Sequence, residues 1–168
     1  MAIVYLSLGS NKGDRIGYVQ QAAGLLAALD DIKIIRTSAF YETEPWNMNT
    51  ETWFVNAVLE IKTQLTPRNL LTECMRIETQ LGRTKRNNPD YEDRTMDIDI
   101  LFYNNEIINE DNLIIPHKFV HLRAFILVPL LELIPDYVHP VLNKTIAELH
   151  NDLENPEMVF LYGTRIEI

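Results

Sequence analysis

The order of periodicities along this 168-residue chain predicts an α+β fold. Three observations carry the prediction. Ala2 to Leu8 is almost wholly apolar, as in a central strand. Two stretches place apolar residues at helical spacing: Val19, Ala22, Ala23, Leu26, Leu29, and then Leu70, Cys74, Ile77, Leu81. Two others alternate with a period of two, Trp53 to Ile61 and Asp97 to Tyr103. Together they read strand, helix, strand, strand, helix, strand. That is the split βαβ, or ferredoxin-like (βαββαβ), arrangement, with a mainly antiparallel sheet, helices packed on it and extra C-terminal helices. The length suits one domain over residues 1–168.

Taken in order, the first strand runs from Ala2 to Leu8, and Gly9-Ser10-Asn11-Lys12-Gly13 reads as a turn. Asp14 is a candidate N-cap for a helix to about Leu29. Ile32 to Tyr41 is β-rich, and Thr43 to Thr52 is a polar loop with Pro45 and Trp46. Trp53 to Ile61 follows as a strand. Thr66-Pro67 opens the second helix, which runs to about Leu81 before Gly82. After the Asp97–Tyr103 strand, Asn104-Asn105 predicts a turn, and Leu113 to Ile115 a short extended piece. Arg123 to Leu131 predicts a helix, Val138 to Val141 an extended segment, Thr145 the cap of a short helix, and Met158 to Tyr162 an edge strand.

Composition narrows the function. Hydrophobic residues make up 46% of the chain and charged residues 23%, an ordinary globular profile. A net charge of −9 argues against nucleic-acid or anionic-membrane partners, so neither is expected. The single cysteine, Cys74, forms no intrachain disulfide and suits a reducing, cytoplasmic setting. No signal-peptide layout is expected, and no apolar run approaches the roughly 20 residues that span a bilayer. The P-loop and G-x-G-x-x-G fingerprints are missing, which excludes those two routes to nucleotides. His117 and His121 lack a third ligand, which argues against a zinc site.

The chemistry concentrates between Arg83 and Tyr103. A basic, polar loop carries Arg83, Lys85 and Arg86 and runs against the acidic background. It leads into Asp97-Ile98-Asp99-Ile100-Leu101-Phe102-Tyr103. On a strand, residues two apart share a face with Cα atoms roughly 7 Å apart. Asp97 and Asp99 therefore share one face, with Ile98, Ile100 and Phe102 on the other. Two carboxylates this close call for a cation between them, and Mg²⁺ suits oxygen ligands. The upstream cations would then hold the phosphates that such a metal carries. A wet acidic strand face is the structural alternative. Asn56 lies within an apolar strand, either satisfied locally or offering its amide edge to a ligand, and Phe54 on the same face is a stacking candidate or core. Glu78 falls off the apolar stripe of its helix and reads as solvated.

In this order and spacing the motifs resemble one family. They are Leu8-Gly9-Ser10-Asn11, Phe40-Tyr41-Glu42-Thr43-Glu44-Pro45, Phe54-Val55-Asn56-Ala57 and Arg76-Ile77-Glu78 with Gly82-Arg83. Arg94-Thr95-Met96-Asp97-Ile98-Asp99-Ile100-Leu101, Ile115-Pro116-His117 and Arg123-Ala124-Phe125 complete the set. The chain resembles the 6-hydroxymethyl-7,8-dihydropterin pyrophosphokinases of the folate pathway from Ile3 to about Pro140. The resemblance implies a ferredoxin-like core and transfer of pyrophosphate from ATP to the pterin hydroxymethyl oxygen, with release of AMP. It implies that Asp97 and Asp99 hold two Mg²⁺ ions and that Phe54 and Phe125 sandwich the pterin. It assigns Asn56 to hydrogen bonding with the pterin, and Thr43, Pro45 and Trp46 to the loop beside that pocket. Glu78, Ile100, His117 and Arg123 match nucleotide-site positions, and Arg83, Lys85 and Arg94 match basic positions near the phosphates.

The sequence departs from the family pattern most in one loop. Asp90, Tyr91, Glu92 and Asp93 stand where an arginine–tryptophan pair, glycine and proline are usual. Trp46-Asn47 also replaces a usual glycine, and Phe54 a common tyrosine. Tyr91 keeps a ring that can stack, while Asp90, Glu92 and Asp93 add negative charge where the polyphosphate should approach. Two alternative readings stay open. One is a metal-dependent nucleotidyltransferase, which needs the carboxylates but not Phe54, Asn56 and Phe125. The other is a non-catalytic pterin- or nucleotide-binding module.

Overall fold

A computed structural model describes residues 1–45, 51–82 and 95–166 of the chain. The first unit is β1 (Ala2–Ser10), α1 (Arg15–Ala27), β2 (Ile32–Thr37), β3 (Ala39–Thr43) and β4 (Phe54–Thr63). Helix α2 (Pro67–Gln80), β5 (Asp97–Tyr103) and a small hairpin of β6 (Ile108–Glu110) and β7 (Leu113–Ile115) follow. The chain continues through α3 (Ala124–Leu133), α4 (Ile146–Asn151) and β8 (Val159–Arg165). The helix starts follow the expected capping chemistry. The side chains of Asp14 and Thr66 accept hydrogen bonds from Gly17 N and Asn69 N, and Thr145 forms a capping box with Glu148. Gly82, with φ of 93°, takes the left-handed turn after α2 that glycine adopts without a Cβ penalty.

Every strand pairing in the main sheet is antiparallel. The order is β5-β1-β4-β3-β8, with β2 also paired to β4. β1 and β2 both flank β4, so they run parallel to each other with α1 as their crossover. β4 and β5 likewise flank β1, with α2 as theirs. Each βαβ unit is thus split by a strand of the other, which is the predicted α+β topology.

The sheet buries both faces. Val4, Leu6, Leu8, Val55, Ala57, Leu59, Ile61, Ile98 and Ile100 pack with α1 and α2. On the other side Tyr5, Val58, Leu101 and Phe102 pack with Ile126, Leu127 and Leu130 of α3 and with α4.

Four details differ from the sequence reading. β1 does not end at Leu8. Gly9 and Ser10 stay in the sheet because β4 flanks both and β5 also flanks Gly9: Gly9 faces Asn56 and Asp97, and Ser10 faces Val55. The β-rich stretch from Ile32 breaks into two strands at Ser38, whose Oγ accepts from Val58 N at 2.8 Å in place of a ladder carbonyl. The alternation in β5 also breaks. Leu6 faces Ile100 but Tyr5 faces Phe102, so Leu101 is the extra residue of a β-bulge. Phe102 consequently leaves the face of Ile98 and Ile100 and joins the α3 cluster. Lastly, Val138 makes only an isolated bridge to Thr145, not a strand.

Candidate active site

Residues paired across an antiparallel sheet point to the same side. Gly9 lies between Asn56 on β4 and Asp97 on β5, and Ser7 lies between Val58 and Asp99. Tyr41 and Thr43 on β3 face Asn56 and Phe54. Tyr5 and Val58 mark this as the α3 side of the sheet. Thr43, Phe54, Asn56, Asp97 and Asp99 therefore share one face, spread over three strands with Gly9 in the middle.

Gly9 is glycine for a steric reason. A Cβ there would lie 2.3 Å from Asn56 Oδ1 and 3.6 Å from Phe54 Cδ1. The amide and the ring lie directly over the bare backbone. Asn56 is 4% exposed and donates through Nδ2 to Thr43 Oγ1 at 2.6 Å. That bond fixes the amide's rotation and leaves the second N–H and Oδ1 as a donor–acceptor edge. Read from the sequence, Gly9 belonged to a turn. The signal that marks it is a glycine continuing an apolar strand, where backbone and another group approach closely.

The carboxylates sit on β5, which among the described residues pairs only with β1 in the sheet. Glu78 is 7% exposed, not solvated as its helical position suggested. Its Oε2 accepts from Ile98 N at 2.9 Å, the residue between the two aspartates. It thereby covers a backbone N–H on the outer edge of β5 and ties α2 to the strand. His117 donates its own N–H to Leu101 O at 3.0 Å, and its Nδ1 accepts from Phe119 N at 3.2 Å. The neutral ring then carries its proton on Nε2, which lies 3.9 Å from Asp99 Oδ2. Arg123 is buried at the start of α3, its guanidinium 4.2 Å from the centre of the Phe119 ring and 5.7 Å from that of Phe125. Such stacking suits a planar guanidinium.

The segment leading into Phe54 is held from the first residue of α1 and from the turn before it. Arg15 donates to Trp53 O at 2.9 Å and pairs with Glu42 at 2.9 Å, while Asn11 Nδ2 donates to Thr52 O at 3.3 Å. Ile100 differs from the other expected residues. Its side chain belongs to the core with Ile98, on the α1–α2 side away from the carboxylates. Pro45 lies two residues beyond the end of β3 and is half-buried. Trp46, Arg83, Lys85, Arg86 and Arg94, together with the acidic stretch from Asp90 to Asp93, lie outside the described residues.

Cysteine chemistry is disfavoured. Burial pushes the Cys74 thiol far above its ordinary range, with the charges of Glu78 and Asp99 adding to the effect, so it stays protonated. Among the described residues, no group of three or more His, Cys, Asp or Glu could hold a metal by itself. A pair of carboxylates does fit Mg²⁺, which keeps waters and takes its remaining ligands from substrate phosphates.

Residues 5–135 match the family model described as 7,8-dihydro-6-hydroxymethylpterin-pyrophosphokinase (HPPK). The chain belongs to the HPPK family. It is 43% identical over 138 residues to the 2-amino-4-hydroxy-6-hydroxymethyldihydropteridine pyrophosphokinase of Methylorubrum extorquens, covering 82% of this chain and 86% of that one. It is 40% identical to the Aquifex aeolicus protein of the same name, covering 88% and 90%. A Plasmodium falciparum HPPK-DHPS crystal structure shares the fold with a TM-score of 0.72 at 22% identity. That match covers 89% of this chain but 45% of the other. The HPPK match ends at residue 135, so α4 and β8 lie beyond it. Among the described residues no helix is long and apolar enough to cross a membrane.

Proposed function

We propose that this chain, as one pyrophosphokinase domain, transfers pyrophosphate from ATP to 6-hydroxymethyl-7,8-dihydropterin in folate synthesis. One observation carries the reading. A buried amide, clamped by Thr43 over the bare backbone of Gly9, shares a sheet face with two carboxylates two residues apart. The first suits a flat heterocycle with donors and acceptors on its edge, and the second suits a metal–polyphosphate.

The pterin hydroxymethyl oxygen attacks the β-phosphorus of ATP. The new O–P bond forms as the bond from that phosphorus to the α,β-bridging oxygen breaks. The bridging oxygen leaves with AMP, and the hydroxyl proton goes to solvent. Phosphoryl chemistry of this kind depends on in-line positioning and neutralised charge rather than on covalent help from the protein. Asp97 and Asp99 would hold a pair of Mg²⁺ ions, which when bound neutralise the triphosphate and polarise it. Phe54 and Phe125 stack on the pterin, Asn56 reads its edge, and Thr43, Pro45 and Trp46 border the slot. Glu78, Ile100, His117 and Arg123 serve the nucleotide side. Glu78 acts by holding the backbone between the carboxylates, and Ile100 through its main chain. Arg83, Lys85 and Arg94 are assigned to the phosphates from the sequence alone. A reducing, cytoplasmic setting belongs to the same reading, supported by one buried free thiol.

Product analysis tests it. With ATP, Mg²⁺ and the hydroxymethyl-dihydropterin, AMP and the pterin diphosphate should form in equal amounts. Free pyrophosphate as the product would instead indicate nucleotidyl transfer. Binding of both ligands without turnover would leave a binding module.

A further inference from the structure

In the pyrophosphokinase reading the pterin slot has two walls on separate parts of the chain, and the C-terminal segment bonds to both of those parts. One wall is the end of β3, with Thr43 and the Glu44 that follows it. The other is the start of α3, with Phe125. Glu44 N donates to Met158 O at 3.1 Å, and Met158 N donates to Glu44 Oε1 at 2.8 Å. One residue earlier, Glu157 Oε1 accepts from Phe125 N at 2.8 Å. The next residue, Val159, pairs with Thr43 as β8 begins.

The first turn of any helix leaves backbone N–H groups without helical partners. Arg123 stands at the N-cap of α3 and makes no capping hydrogen bond with its side chain. Glu157 supplies the cap instead from 32 residues away. A carboxylate there is favoured by the helix dipole and makes a charge-assisted bond. The far end of α3 is held separately, where Glu132 accepts from Ala39 N at 3.1 Å and from the Tyr41 hydroxyl at 2.9 Å. With that end fixed, the Glu157 bond sets where Phe125 stands relative to Thr43.

We propose that Glu157 is a positioning residue for the pterin slot. It sits outside the HPPK match, yet through Phe125 it governs how well the slot grips a flat ring. The proposal rests on the pyrophosphokinase reading above.

The test compares Glu157→Ala with Glu157→Gln, which keeps an oxygen acceptor. Glu157→Ala should raise KM for the pterin about tenfold, the scale of one charge-assisted hydrogen bond. KM for ATP should change by less than about twofold. Glu157→Gln should recover most of the loss. In a Phe125→Ala background, Glu157→Ala should add almost nothing, because the two act as one unit. Amide hydrogen exchange at Phe125 should speed up in Glu157→Ala and remain slow in Glu157→Gln. An unchanged pterin KM, equal losses for both substrates, or full additivity with Phe125→Ala would each overturn the proposal. If the unsubstituted chain makes no AMP, the pyrophosphokinase reading fails and takes this proposal with it. That failure is distinguishable because it shows before any substitution is made.

Discussion

Replacing Gly9 with alanine should damage pterin binding without replacing any group that meets the substrate, by displacing Asn56. Gly9 has no positive φ, so alanine fits the backbone and the whole effect is steric. The added methyl would lie 2.3 Å from Asn56 Oδ1, about 1 Å inside the 3.4 Å at which ordinary contact begins. The amide cannot swing aside freely. It is 4% exposed and donates to Thr43 Oγ1 at 2.6 Å. Turning it away breaks that bond and leaves a buried polar group poorly satisfied. The cost is about 1–3 kcal/mol, or roughly five- to 150-fold in pterin affinity. Calorimetric titration with pterin, in the presence of a non-hydrolysable ATP analogue, measures it directly. Titration with the nucleotide alone should hardly change. In an Asn56→Ala background the clash partner is gone, so Gly9→Ala should then cost much less. Wild-type pterin affinity in a folded Gly9→Ala protein would refute the role given to Asn56 and Thr43.

The remaining predictions concern stability and pH. Glu60 is buried and accepts from the Tyr5 hydroxyl at 3.0 Å and from Arg36, bridging β1, β2 and β4. Burial, and then the same contact, push the Tyr5 hydroxyl up to about 12. Glu60→Ala should lower stability in urea by about 1–3 kcal/mol, with AMP formation per folded molecule unchanged. Burial holds His139 below its ordinary pKa, with His121 adding repulsion, and its Nδ1 accepts from Val141 N and Leu142 N. The unfolded chain therefore takes up a proton that the native state resists. Stability from this group is intact above about pH 6.5 and is lost as pH falls from there through the lower native value. Melting curves between pH 7.5 and 5 should show a shallower decline for His139→Asn. An identical slope in both proteins would assign the decline to other groups.

Local chemistry was legible in the sequence where neighbours in the chain settle it. Asp14, Thr66 and Thr145 each cap the helix that their position announced. The common face of Asp97 and Asp99 follows from the strand period alone. What stayed hidden depends on partners distant in the chain. The bulge at Leu101 is invisible in an unbroken alternating run, because it is defined by β1 opposite. Glu78 reads as a surface residue by its helical position. Its burial follows from an edge-strand N–H that only the folded sheet presents. Gly9 resembles a turn glycine until β4 brings Asn56 across it. Glu157 carries no motif at all, since its partner Phe125 lies 32 residues back. The candidate site was therefore proposed from the sequence as a set of residue types, while the groups that hold those residues in place were not legible there.

The account rests most heavily on Asp97 and Asp99 acting together on one face of β5. Single-turnover AMP formation by Asp97→Asn and Asp99→Asn, measured across a range of Mg²⁺ concentrations, addresses that claim directly. Each substitution keeps the side-chain volume and removes one charge from a pair that must offset a triphosphate. Both proteins should stay folded, since losing one of two close carboxylates relieves repulsion. The account predicts that AMP formation falls by at least about a hundredfold in each, in keeping with loss of a single preorganised electrostatic group. Near wild-type AMP formation by either variant at low Mg²⁺ would contradict it.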